Sequence, residues 1–461
     1  MAIKILRAQS VPGLSVNAGD IVLGGLTQSE QDALLQGGGG IKVPGVEGFV
    51  LLNASQAAAL PGLVSGAGKF RGVYVSRPAG KIEQSGGGDV GRHMAIALPK
   101  SARAARIRLV NAYGAMTGLK ASLAWSQNGT DPNAPVGDTW TAATWAGAAS
   151  IDMPSAVGSG DTVTTLQFAD SDLIAKPSVA VDAGVSIAGV RPGAIAMVRT
   201  YQPAGQSFAR MSLTEAPTFA QSGLHGSFGS GQGDIVATPA NYVPSAISNY
   251  LPSIELILYG EQDVRTFMPC GASNMSGWGD NSGGADFALA RQRGWSWRAC
   301  NAITSIAVIP VAHGWGGQST VYSLPLAIAA LRRIRPSAAA YMPISPNDSD
   351  CGTAAGDARM IAGAAAFIDE CRAQHVVPML ATIQAWSTAT SQQHASRRTV
   401  NAASRALCAA TGATLLDFEA LLSSGDGWAN AAYTVDGTHQ SPTAHALSGA
   451  TFAPLIEAAC S

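Results

Sequence analysis

The sequence predicts a multidomain chain. A C-terminal three-layer α/β/α domain (246–461) follows a β-sandwich with a jelly-roll-like run of short strands (71–245) and a small N-terminal module (1–70). Three observations predict it. At roughly 100–200 residues per domain, a chain of 461 residues exceeds one core. Near 245–250 the texture changes, from strand-like segments between Gly- and Pro-rich turns to apolar strands alternating with amphipathic helices. Residue usage splits as well, with all six Cys from Cys270 onward and all seven Lys at or before Lys176.

Composition removes several classes. Apolar residues make up 47% of the chain, enough to bury a core against chain entropy, so disorder is excluded. The 29 Lys and Arg balance 30 Asp and Glu, leaving a net charge of −1, which argues against a nucleic-acid partner held by phosphate contacts. The run SIAVIPVA near 305–312 is strand-sized, and no apolar run approaches a membrane span. The opening MAIKILRAQSVPGL lacks the apolar stretch and small-residue site of a classical signal peptide. The cysteines form no CxxC pair, so neither a zinc nor a thioredoxin-type site is expected, and buried reduced thiols are the simpler reading.

In chain order, TQSEQDALLQGGGG (27–40) reads as a short helix capped by Thr27, with Glu30 three residues on and glycines as its stop. The stretch NAGDIVLGGLTQSEQDALLQGG (17–38) resembles small modules at the start of phage tail and virion proteins. ARIRLVNAY (105–113), VTTLQFAD (163–170) and AIAMVRTY (194–201) alternate as half-buried strands do, separated by turns such as NGTDPNAPVGD. Trp125, Trp140 and Trp145 are either a platform for a sugar ring or core residues.

From about 250, IELILYG, VRTFMPCG, SIAVIPV, SAAAYMPIS, VVPMLATI and ATLLDF are strand candidates. The helical segments among them are 319–334, 357–374, 396–412 and 445–460. In the second, Met360, Ile361, Ala364, Phe367, Ile368 and Cys371 form one apolar stripe. Strands apolar on both faces belong to a parallel sheet covered by helices, whose sites lie at the carboxyl ends of the strands.

The polar residues of those post-strand loops suit a serine hydrolase. The loops are Gly271-Ala272-Ser273-Asn274-Met275-Ser276-Gly277-Trp278, then His313-Gly314-Trp315-Gly316-Gly317-Gln318, then Ser345-Pro346-Asn347-Asp348, and finally Asp436-Gly437-Thr438-His439 before the last helix. A serine hydroxyl needs a base near neutrality, the base needs a carboxylate, and the tetrahedral oxyanion needs preorganised donors. Asp436 and His439, at i and i+3, can meet within one loop.

In this order the blocks resemble the SGNH (GDSL) hydrolase family over about 250–461, most specifically in the ending DGTHQSPTAHAL. The resemblance implies a flavodoxin-like α/β/α fold and a site without metal or organic cofactor. It implies Ser273 as nucleophile, His439 as base and Asp436 as its orienting carboxylate. It also implies an oxyanion hole made by the N–H groups of Ser273 and Gly317 and the side-chain amide of Asn347. Two loops depart from the family pattern: Ala272 replaces an aspartate, and Ser345-Pro346 replace the glycine ahead of the asparagine. An α/β-hydrolase elbow would need glycine where Met275 stands. A second G-D-x-S reading at Asp280-Asn281-Ser282 lies too far beyond the strand end.

Trp278, His313 and Trp315 are candidate substrate contacts, with Trp386 either a pocket wall or core. The other histidines, His93, His225, His375, His394 and His445, read as surface or capping residues. The expected activity is hydrolysis of a short acyl ester, O-acetyl above all, on a small molecule or polysaccharide. The alternative is a glycan-binding virion or surface protein with a weak or inactive hydrolase domain. A long-chain lipase is a third reading, without an apolar lid segment to support it. The expected setting is a virion, with virion-type oligomerisation, or the extracellular space without a classical signal peptide.

Overall fold

The computed structural model describes residues 264–280, 294–311 and 313–461 of the C-terminal part. Of the N-terminal part it describes 102–125, 140–159, 162–176, 195–206, 233–238, 254–260 and shorter strand segments between 3 and 252. The helix expected over 27–40 lies outside the described residues.

The N-terminal strands form antiparallel sheets, as their short alternating runs predict. In one, Ile195–Gln202 lies between Val90–Ala97 and Met116–Trp125. In another, Ala102–Asn111 lies between Gln167–Asp170 and Ile254–Gly260, and Arg71–Tyr74 pairs with the far side of Ile254–Gly260. The strand IELILYG, read as the start of the α/β region, is therefore an antiparallel partner of Ala102–Asn111. The change from antiparallel to parallel pairing falls between Gly260 and Val264. Trp125 and Trp145 are buried, which places them in a core and not on a sugar platform. Trp140 is half-buried, with the Arg199 guanidinium 4.0 Å above its ring.

The C-terminal part runs β1 (Val264–Ala272), α1 (Trp295–Ala302), β2 (Ala307–Pro310), α2 (Thr320–Ile334), β3 (Ala338–Tyr341), α3 (Ala354–Ala373), β4 (Val377–Ala381), α4 (Ser391–Thr411), β5 (Thr414–Leu416) and α5 (Pro442–Cys460). The strands are parallel in the order β2-β1-β3-β4-β5, and His313–Trp315 continues alongside the end of β1. The chain leaves β1 outward to β2 and returns to β3 on the other side of β1, so the order places a crevice between the ends of β1 and β3.

The period of two along each strand sends alternate residues to two cores. Met268, Cys270, Ala339 and Leu380 join Leu331 of α2 and Phe367 of α3. Phe267, Ala338, Ala340 and Met379 join Trp295 of α1 and Phe452 of α5. Each such fully buried large side chain contributes about 1.5–3 kcal/mol. Helix α1 went unread in the sequence because Trp, Ser, Asn and Cys are indifferent helix formers. Packing overrides that: the Trp295 ring meets Phe267, Phe418 and Phe452 edge-on at centroid distances of 5.9, 5.1 and 6.0 Å. Helix α4 starts at Ser391, earlier than expected, because Thr390 and Gln393 form a reciprocal capping box. All six cysteines are buried and unpaired.

The antiparallel sheet packs on α2, where Leu326 joins Val110, Tyr113, Val163 and Leu166 in one cluster. At the same junction Glu255, 0% exposed, accepts from Arg108 at 3.2 Å and from Arg333 of α2 at 2.6 Å. A buried carboxylate requires such partners.

Candidate active site

The turn that carries Ser273 is built by close backbone approach. β1 ends at Ala272, and Ser273–Ser276 makes one helical turn closed by Gly277 at φ 84°. Gly271 has φ 143°, and a Cβ there would stand 2.9 Å from Met275 Cγ. A Cβ on Gly314, in the neighbouring strand, would stand 2.5 Å from the Ser276 nitrogen. Glycine at both positions lets the turn seat against the sheet. Ser273 is itself buried, and its carbonyl accepts from the Ser276 hydroxyl at 2.6 Å.

Ser273 Oγ lies 2.9 Å from His439 Nε2, and His439 Nδ1 lies 2.7 Å from Asp436 Oδ2. The carboxylate can only accept, so Nδ1 carries the proton and Nε2 accepts from the serine. Asp436 Oδ1 also accepts from the backbone N–H groups of Thr438 and His439 at 2.9 and 2.8 Å. Burial opposes ionisation of Asp436, yet these hydrogen bonds outweigh it and hold its carboxyl below the usual range. The three residues named as catalytic in the sequence are thus brought into series, across a chain separation of 166 residues for the serine and histidine.

The loop bearing them is braced from outside. Gly437 has φ 84°, and a Cβ there would lie 1.9 Å from Ser387 Oγ. Its carbonyl accepts from the Ser387 N–H at 2.8 Å and from the Trp428 indole at 3.0 Å. The Trp278 ring lies against the His439 imidazole, with centroids 3.9 Å apart. Its carbonyl accepts from His445 Nε2 at 3.1 Å, while His445 Nδ1 accepts from the Trp295 N–H at 3.2 Å. His445, read as a surface or capping residue, is instead fully buried, and burial pushes its pKa down to about 4. Its position on the inner face of α5 was not legible without the α5–α1 packing.

Of the expected oxyanion donors, Gly317 is exposed with φ 77° in the segment after His313–Trp315, and Asn347 is exposed in the loop after β3. The Asn347 amide donates to the Gln318 carbonyl at 3.2 Å and to Ser345 Oγ at 3.1 Å, so these two loops are tied together. Beneath them the buried Asp348 accepts from Thr320 N–H at 2.8 Å, Thr320 Oγ1 at 2.7 Å, Ser345 N–H at 2.8 Å and Arg359 at 3.2 Å. Burial raises the Asp348 pKa even so. In the sequence Asp348 stood only as the residue after Asn347 in a post-strand loop.

Other candidates fall elsewhere. His313 is 1% exposed and its Nε2 lies 3.6 Å from Glu255 in the junction with the antiparallel sheet, so it is not a substrate contact. Trp386 is buried in the core, and the Trp315 side chain lies outside the described residues. Asp280 is buried and paired with Arg298 at 2.9 Å, while Ser282 is outside the described residues. Among the described residues, no group of three or more His, Cys, Asp or Glu could hold a metal, and no helix is long and apolar enough to cross a membrane.

A serine, a histidine and an aspartate thus stand in series at the carboxyl edge of a parallel α/β sheet. Residues 270–447 match the GDSL-like Lipase/Acylhydrolase family, and that stretch is a GDSL-like (SGNH) domain. Solved structures similar to the chain include a GDSL-like lipase from Bacteroides thetaiotaomicron, at 16% identity and TM-score 0.32, covering 42% of this chain and 87% of that one. A lipase/acylhydrolase from Enterococcus faecalis is 16% identical, with TM-score 0.33 over 42% of this chain and 96% of that one. A carbohydrate acetylesterase family member from Sinorhizobium meliloti is 14% identical, with TM-score 0.33 over 43% of this chain and 99% of that one. No curated protein matches the chain. The tail-module resemblance of 17–38 rests on the sequence alone.

Proposed function

We propose that the chain is a serine esterase that removes short acyl groups, acetyl above all, from a carbohydrate through a Ser273 acyl-enzyme. The observation that carries this reading is the series Ser273 Oγ to His439 Nε2 at 2.9 Å and His439 Nδ1 to Asp436 Oδ2 at 2.7 Å. His439 Nε2 takes the serine proton as Oγ attacks the ester carbonyl, and Asp436 stabilises the imidazolium that forms. The oxyanion develops beside the N–H groups of Ser273 and Gly317, and the Asn347 amide joins them by giving up its bond to the Gln318 carbonyl or to Ser345 Oγ, each such donor typically contributing about 10²–10³ in rate. His439 then returns the proton to the leaving alcohol, and water repeats the sequence to release the acid.

Polar exposure supports a sugar over a long acyl chain: Asp436 is exposed, as is Ser387, which is bonded to the histidine loop at Gly437. Carriage on a virion or cell surface belongs to the same proposal, with the antiparallel sheets as the recognising part. The test is release of p-nitrophenol from the acetyl ester by the full chain and by Ser273→Ala. Turnover abolished by the substitution is expected. Turnover that survives it removes Ser273 from the mechanism, and an inert wild type favours a glycan-binding protein. A series of longer acyl chains should show falling turnover; rising turnover would identify a lipase.

A further inference from the structure

We infer that Gln384 is a positioning residue that sets the distance between the nucleophile turn and the histidine loop; the inference rests on the esterase reading above. Gln384 is fully buried in the segment after β4. Its Nε2 donates to Asn274 Oδ1 at 2.7 Å and to the Thr438 carbonyl at 3.1 Å. Asn274 directly follows Ser273, and Thr438 directly precedes His439. One side-chain amide therefore joins the two loops that carry the reacting pair, at chain separations of 110 and 54 residues.

The chemistry leaves the amide one orientation. The Thr438 carbonyl can only accept, so Gln384 presents its NH₂ there, and Asn274 must then turn its oxygen toward the same group. The platform beneath is rigid. Thr382 N–H donates to the Leu416 carbonyl at 3.1 Å, and the Asn401 amide holds Ile383 at both its N–H and its carbonyl, at 3.0 and 2.8 Å. Ala385 N–H donates to Ser423 Oγ at 2.8 Å, and Trp386 is buried in the core. Gln384 thus reaches from a fixed backbone to two loops that no strand pairing connects.

The Asp436–His439 contact lies within one loop and does not need Gln384, whereas the Ser273–His439 contact does. Two full-length variants separate these effects. Gln384→Leu removes the donor, and Gln384→Glu keeps the shape but gives an acceptor unless protonated. In both, kcat for p-nitrophenyl acetate and the rate at which a fluorophosphonate labels Ser273 should fall on the order of 10–10²-fold, the scale of a misplacement near 1 Å. KM should stay within about twofold, because the exposed polar residues are untouched.

The activity of Gln384→Glu relative to wild type should recover as the pH is lowered toward about 5, where a buried glutamic acid is protonated and donates again. Gln384→Leu should show no such recovery. If either variant fails to fold, Gln384→Asn, which keeps the amide on a shorter stem, is read in its place. Wild-type kcat and labelling rate in folded variants would overturn the positioning role alone. A wild type that neither turns over ester nor labels at Ser273 would overturn the esterase reading, and this inference with it.

Discussion

The loops that carry the proposed catalytic and oxyanion groups are held by different chemistry. The Asp436 carboxylate braces its own loop from within, but that loop is tied to its surroundings through neutral groups acting on its backbone carbonyls, with Ser387 and Trp428 on Gly437 and Gln384 on Thr438. The Gly317 and Asn347 loops are fixed by a buried charge, with Asp348 collecting Thr320, Ser345 and Arg359. A carbonyl holds its partner at any ordinary pH and tolerates the loss of one donor among several. A carboxylate that serves four donors makes them interdependent, so one change disturbs both loops together.

The largest effect should come from the reacting pair. His439→Ala should lower kcat for the acetyl ester by about 10⁴–10⁶, and Asp436→Asn by somewhat less, because the serine–histidine contact survives the loss of its orienting partner. Steady-state kinetics on the purified full chain measure both. Equal losses would mean that the carboxylate is as indispensable as the base itself.

Next comes Asp348→Asn. An asparagine presents one NH₂, which must face either the Thr320 N–H or the Ser345 N–H, so one loop is released whichever way the amide turns. A fall in kcat on the order of 10² is expected, the worth of one oxyanion donor. Trp428→Phe on the neutral side should cost less, about tenfold, since a single hydrogen bond is worth roughly 1 kcal/mol. The Gly437 carbonyl also keeps its Ser387 donor. If Trp428→Phe proves the more damaging of the two, the contrast between the charged and neutral sides is wrong.

These supports differ from the reacting residues in how much of them the sequence shows. Asp436 and His439 stand three positions apart before a Pro-started helix, and Ser273 follows an apolar strand, so local pattern alone exposes them. Asn274 and Gln384 are 110 residues apart, and their meeting is a product of sheet order. The same reason explains Ile254–Gly260: an apolar strand reads alike whether its partner is parallel or antiparallel, and only its pairing with Ala102–Asn111 assigns it. His313 shared the right loop with the site, but its side chain points to Glu255 at the junction, an orientation set by a residue of the other sheet.

The neutral side has one titratable support behind it, and that support sharpens the comparison at the level of stability. His445 holds the Trp278 carbonyl while Trp278 packs on His439. Burial lowers the His445 pKa from the ordinary 6.5 to about 4. Between those values the unfolded chain binds a proton that the folded chain refuses, so stability is full above about pH 6.5 and declines as the pH falls to about 4. The shift corresponds to ~3 kcal/mol across that window. His445→Gln keeps an acceptor for the Trp295 N–H and a donor for the Trp278 carbonyl but does not titrate there. Denaturant unfolding of wild type from pH 7 to pH 4 should show the decline, and the variant should show a flatter profile by up to that amount. An equally steep decline in the variant would assign the acid sensitivity to the carboxylates, Asp436 among them, whose lowered pKa places its own loss of stability below about pH 4.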